Sequence, residues 1–113
     1  MNFDTVGQID LQTGDELGWT FKFPIATSAT EKGSIPHGRT ISNVEVVAYD
    51  ADDVVVTSDL ISGTPSLSTD TVTVVLKYPV TNGEGRYKLT FELTLDNGWT
   101  RQFDFQRVVC KNV

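Results

Sequence analysis

Tyr87-Lys-Leu-Thr-Phe-Glu-Leu-Thr-Leu95, the turn Asp96-Asn97-Gly98 and the run from Trp99 to Val109 decide the fold of this 113-residue chain. Tyr87, Leu89, Phe91, Leu93 and Leu95 share one face of an extended segment, and Lys88, Thr90, Glu92 and Thr94 share the other. A period of two puts one face on a core and the other in solvent. It also specifies register, because a slip by one residue would turn the whole apolar set outward. Asn97-Gly98 is the cue for a tight hairpin turn, whose positive φ angles both residue types tolerate. Past the turn, Trp99, Phe103, Phe105 and Val109 share a parity with Arg101 and Arg107. On such a mixed face the arginines sit at the sheet rim or lay their stems past the aromatics.

Working upstream, the same period returns. Val72, Val74, Leu76 and Tyr78 alternate with Thr71, Thr73, Val75 and Lys77, and Leu17, Trp19, Phe21, Phe23 and Ile25 alternate with Gly18, Thr20, Lys22 and Pro24. The second of these reads as a well-buried strand. Ile41 to Tyr49 is another strand, and with Val54-Val55-Val56-Thr57 it reads as a hairpin whose acidic tip is Asp50-Ala51-Asp52-Asp53. Asp59 to Ser68, with Gly63 and Pro65, is a connection with room for one short edge strand. Val6 to Leu11 is a weaker leading strand, and Ala26 to Arg39, rich in Thr, Ser, Gly and Pro, reads as a long surface loop. No helical period occurs. About seven short strands at this spacing predict an all-β, antiparallel sandwich. The chain reads as one domain over residues 1–113, with 1–13 as a loosely attached leading segment.

Composition narrows the function. Nine Lys and Arg against fifteen Asp and Glu leave a net charge of −6, scattered along the chain. That surface repels phosphate backbones and anionic lipid, so neither nucleic acid nor membrane is an expected partner. One cysteine, Cys110, allows no internal disulfide. The N-terminus shows no basic region followed by an apolar run, and no window has the length of a membrane span.

Candidate chemistry is sparse. His37 and Cys110 are the only residues of their kinds, and His37 lies in a loop between Pro36 and Gly38 while Cys110 follows a strand end, so a nucleophilic dyad is not expected. One Cys and one His cannot assemble a zinc site without two further carboxylates. Asp50, Asp52 and Asp53, with Asp59 beyond, are the nearest approach to a calcium set, since that ion takes hard oxygen ligands. Their spacing is not that of an EF-hand, and a solvated hairpin tip explains them as well. Gly83-Glu84-Gly85 precedes a strand, not a helix, and reads as a turn. Tyr87 opens a strand directly after that turn, the place of the tyrosine corner in immunoglobulin-like sandwiches. The expected fold is therefore immunoglobulin-like, with Tyr87, Asn97 and Gly98 as structural residues, no catalytic residue and no cofactor.

Three stations of the sequence together resemble a family of small phage and prophage proteins encoded among head and tail genes. They are Glu16-Leu17-Gly18-Trp19-Thr20-Phe21, then Gly38-Arg39-Thr40-Ile41-Ser42, and then Thr71-Val72-Thr73-Val74 continuing through Gly85-Arg86-Tyr87-Lys88-Leu89-Thr90 to Asn97-Gly98. The chain departs from the pattern in the length of the loop Ala26 to Arg39 and in Pro79 to Gly85, where a Gly-Gly turn is usual. The resemblance implies a virion or assembly role carried out by binding. It places the chain in the virion, or in the host bacterial cytoplasm before assembly, with capsid or tail proteins or further copies of itself as partners. A carbohydrate-binding or cell-surface adhesion module is the alternative, with Trp99 as its stacking residue. His37, Arg39, Asp52, Asp53 and Trp99 are the candidate interaction residues, on the long loop, the acidic tip and the last turn.

Overall fold

The computed structural model describes residues 8–28 and 35–112, the side chains of Asp104 and Phe105 excepted. The alternating runs become β1 (Gln8–Gln12), β2 (Glu16–Lys22), β3 (Ile41–Tyr49), the short helix α1 (Thr57–Leu60), β4 (Ile61–Ser68), β5 (Thr71–Lys77), β6 (Gly85–Leu95) and β7 (Thr100–Lys111). Two sheets result, one in the order β1-β7-β6-β3 and the other β2-β5-β4. With β1 taken as strand A′, these are the A′-G-F-C and B-E-D sheets of an immunoglobulin-like sandwich. Among the described strands, every pairing is antiparallel except β1 with β7, which is parallel.

The core lies between the sheets. Phe21 and Phe23, from the three-stranded side, meet Phe91 and Phe103, from the other, with centroids 4.9 Å apart for Phe21–Phe91, 5.5 Å for Phe23–Phe91 and 4.9 Å for Phe23–Phe103. All four are buried and tilted against one another, the arrangement that aligns ring edges with ring faces. The leading segment is part of this body: Gln8–Gln12 is paired along β7, and Ile9 and Leu11 are buried. Residues 1–7, including the start of the expected strand, lie outside the described residues.

Four expectations need correction. First, β2 is an edge strand, so Phe21 is buried while Leu17 is 47% exposed and Trp19 only half-buried. Second, β7 carries a bulge. Leu89 pairs with Gln106 and Phe91 with Phe103, so three steps of β7 span two of β6. The inserted residue reverses the parity: Gln106, Val108 and Cys110 point inward, Arg107 is exposed and Val109 faces outward, half-buried. Cys110 is therefore inside the strand, not beyond it, and Trp99 and Arg101 are exposed at the sheet end. The Phe105 side chain lies outside the described residues.

Third, the hairpin expected at Asp50–Asp53 ends after one bridge, Tyr49 with Val55. The chain then turns into α1, which buries Leu60, and crosses to the other sheet as β4. That strand is eight residues long, with its pairing interrupted between Ser62 and Ser66 around Gly63 and Pro65. Fourth, the long loop is pinned near both ends. Ile25 and Ile35 form a parallel bridge, and Ile35 is fully buried.

The last turn also differs from a two-residue hairpin. Gly98 has φ of 89° and its N–H donates to the Leu95 carbonyl at 3.0 Å, while Leu95 N–H donates to the Trp99 carbonyl at 2.7 Å. Asn97 stays at negative φ, so Asp96-Asn97-Gly98 is a three-residue loop closed by one glycine in the left-handed region.

Candidate functional site

The sandwich sends the candidate interaction residues to opposite ends. Arg39 precedes β3 and Asp50 follows it, so the length of β3, about 27 Å at strand rise, lies between them. They form two surfaces, not one site.

At the first end, the last turn and the exit of the long loop are tied together. Asp96 N–H donates to the Thr40 carbonyl at 2.9 Å, Thr40 N–H donates to Asp96 Oδ1 at 3.4 Å, and Arg39 pairs with the same carboxylate at 3.6 Å. Asn97 Oδ1 accepts the Trp99 N–H at 3.1 Å, which fixes the backbone from which the indole projects. Trp99 is 63% exposed. His37 is held to the loop by Nδ1, which donates to the Ala26 carbonyl at 3.2 Å, the only role open to a nitrogen facing a carbonyl oxygen.

At the second end the acidic tip is built from its own backbone. Asp50 Oδ1 accepts the N–H groups of Asp52 and Val54, both at 2.9 Å, an Asx turn that spends this carboxylate on the corner. Asp53 sits at φ of 62° and pairs with Lys88, whose ammonium also lies 5.8 Å from the centre of the Tyr49 ring. Asp59 accepts from Asn82 N–H and Nδ2, both at 2.8 Å, and from Thr81 N–H at 3.2 Å. Burial raises the Asp59 pKa, but the bonds from Asn82 and Thr81, with nearby Lys77, outweigh it and hold the carboxyl below its ordinary value. Among the described residues, no three His, Cys, Asp or Glu side chains gather in a metal-ligand cluster.

Val54 and Val55 are 55% and 60% exposed, and Val80, in the loop that Asp59 holds, is 82% exposed. Sequence reasoning missed this apolar surface. The signal was available in Val54-Val55-Val56, three consecutive valines that no alternation can bury together.

No family model and no curated protein matches the chain.

The buried groups are arranged for stability. The Tyr87 hydroxyl donates to the Gly83 carbonyl at 2.6 Å, the bond a tyrosine corner makes. Burial, with smaller contributions from Cys110 and Asp59 first among its neighbours, pushes the Tyr87 pKa up to about 12. Burial and then Asp59 push the Cys110 thiol up to about 12 as well. A thiol so protonated is a poor nucleophile at neutral pH.

Proposed function

We propose that this chain is a non-catalytic protein of a phage or prophage particle, or of its assembly, which binds capsid or head–tail components. The observation that carries the reading is the position of the exposed large apolar side chains. Trp99 stands at one end of the sandwich, Val54, Val55 and Val80 stand at the other, and Leu17 is exposed on the edge strand β2. A rigid module with an apolar contact at each end suits a subunit that bridges neighbours, with protein rather than nucleic acid or membrane as its partner.

The test is mass spectrometry of particles purified from the phage or induced lysogen that encodes the chain. The reading expects the protein in particles or assembly intermediates. Particles that lack it, with the protein free in the soluble fraction, would overturn it. Exposed Trp99 supports the second reading, a carbohydrate-binding or adhesion module, because an indole standing free beside a turn can stack on a sugar ring. Glycan binding that Trp99→Ala abolishes, in a chain absent from particles, would favour that reading.

A further inference from the structure

We propose that the free edge of β2 is an interface between two copies of this chain, whose β2 strands pair antiparallel about a two-fold axis at Trp19 and join the two three-stranded sheets into one. Each sheet of a single copy ends in two edge strands, and an exposed edge is a template for pairing unless something blunts it. The β3 edge is covered near its end by the corner, where Tyr49 bridges Val55 and Val56 N–H donates to the Ala48 carbonyl. β4 is interrupted between Ser62 and Ser66 around Gly63 and Pro65, and β1 is only five residues long. β2 has neither protection. Its seven residues keep an unbroken register with β5 on one side, and no strand among the described residues lies on the other.

The parity of the main-chain bonds fixes what this edge presents. Tyr78 N–H donates to the Asp15 carbonyl at 3.0 Å and Phe23 N–H to the Asp70 carbonyl at 2.7 Å, so the odd-numbered residues between them bond to β5. Glu16, Gly18, Thr20 and Lys22 therefore aim their N–H and C=O groups off the sheet, and all four residues are exposed. Two such edges can bond only where even-numbered residues face even-numbered ones. With Trp19 set opposite Trp19 of the second copy, Gly18 faces Thr20 and Glu16 faces Lys22, and each of these pairs exchanges both main-chain bonds. That register uses the whole strand.

Charge selects the same register. Glu16 stands beside Lys77 in the ladder and accepts a hydrogen bond from Ser62 Oγ at 2.9 Å, but among the described residues neither Glu16 nor Lys22 forms an ion pair. Pairing about Trp19 brings each of them to an opposite charge, twice, as an isologous interface requires. An axis at Glu16 or at Lys22 would instead oppose like charges, and an axis at Gly18 or Thr20 would lose both contacts. Apolar surface follows the charge: Leu17, 47% exposed in the single chain, comes to lie opposite Phe21 and diagonal to Trp19 of the second copy. The contact is one strand wide, so the dimer is weak, with affinity from main-chain bonds and selectivity from Glu16 and Lys22. It does not depend on what the two ends of the sandwich bind.

Sedimentation velocity from micromolar to near-millimolar protein tests the proposal. The wild-type chain is expected to pass from monomer to dimer. Glu16→Lys and Lys22→Glu are each expected to stay monomeric, because each then sets like charges opposite one another. Mixed in equal amounts they are expected to form a heterodimer, since both cross-pairs are of opposite sign. Thr20→Pro removes an N–H that points off the sheet, which an edge position tolerates, and is expected to be monomeric while unfolding at an unchanged temperature. Should that variant fail to fold, the charge variants decide alone. A wild-type chain that remains monomeric throughout the range would overturn the proposal, and Gly18 and Thr20 amides protected from hydrogen exchange in that monomer would assign the edge to another segment of the chain. Folded single variants that dimerise as well as wild type would also overturn it, as would a folded Glu16→Lys and Lys22→Glu mixture that fails to associate.

Discussion

The hairpin of β6 and β7 and the corner after β3 both reverse the chain through an acidic turn, at Asp96 and at Asp50–Asp53. The first stays paired from Thr94 and Thr100 to Gly85 and Cys110, whereas the second releases after the bridge of Tyr49 with Val55. The return arm makes the difference. In β7, Phe103, Val108 and Cys110 all enter the core, so each further pair adds buried area. Of Val54 to Thr57 only Val56 is buried, and a strand there would lengthen the sheet edge without covering the core. Val56 N–H and Thr57 Oγ1 instead take the backbone of Ala48, at 2.8 and 3.1 Å, and α1 carries the chain to the opposite sheet. A turn reverses a chain; the arm that follows decides whether the reversal becomes a strand.

The contrast can be broken most forcefully in the core. Phe91→Ala removes the ring that packs on both Phe21 and Phe23, and is expected to cost about 3–5 kcal/mol in denaturant unfolding. Val55→Ala, on the exposed arm, is expected to change stability by less than about 0.5 kcal/mol. Similar losses for the two would erase the distinction.

The turns supply the next comparison. Gly98→Ala forces a Cβ into the left-handed region at φ of 89° and is expected to cost about 1–2 kcal/mol. Asp53→Gly relaxes the left-handed residue of the other corner but loses an ion pair to Lys88 that is largely in water. Its net effect on the unfolding midpoint is expected within about 0.5 kcal/mol. A Gly98→Ala chain as stable as wild type would show that the last turn is not held by this conformation.

The two regions also differ with pH. Tyr87 and Cys110 ionise near 10.0 and 9.0 in ordinary surroundings and near 12 in the fold. The unfolded chain therefore releases these protons first, and the stability they contribute is full below pH 9 and falls as pH rises towards 12. Asp59 has the opposite sign: its lowered pKa stabilises the fold above about 3.8, and that contribution fades as acid protonates it. Tyr87→Phe is expected to cost about 1 kcal/mol at neutral pH, the scale of its bond to Gly83, and to flatten part of the alkaline fall. A midpoint unchanged at pH 7 would contradict the corner.

Much of the sandwich was legible because burial follows alternation. Tyr87 to Leu95 and Val72 to Leu76 place each alternate residue in the core, as their pattern requires. The bulge in β7 was not legible, since a single inserted residue changes parity without changing composition. Arg107 and Val109 consequently face the side opposite to Phe103. The parallel pairing of β1 and the helix α1 depend on contacts distant in sequence, which no local period carries. At the candidate surfaces, Trp99 and Arg39 were legible as residues beside turns, but their separation from Asp52 and Asp53 by the length of β3 was not. Of the three places the sequence offered, the long loop and the last turn meet at one end and the acidic tip stands at the other.

The claim that the chain works by binding through both ends is tested most directly by particle incorporation. Wild type, Trp99→Ala and the double variant Val54→Ser with Val55→Ser would be supplied in turn to a host whose own copy is deleted, and the amount in purified particles measured. Both variants, folded and soluble, are expected to be lost from particles. Incorporation of both at the wild-type level would contradict the account.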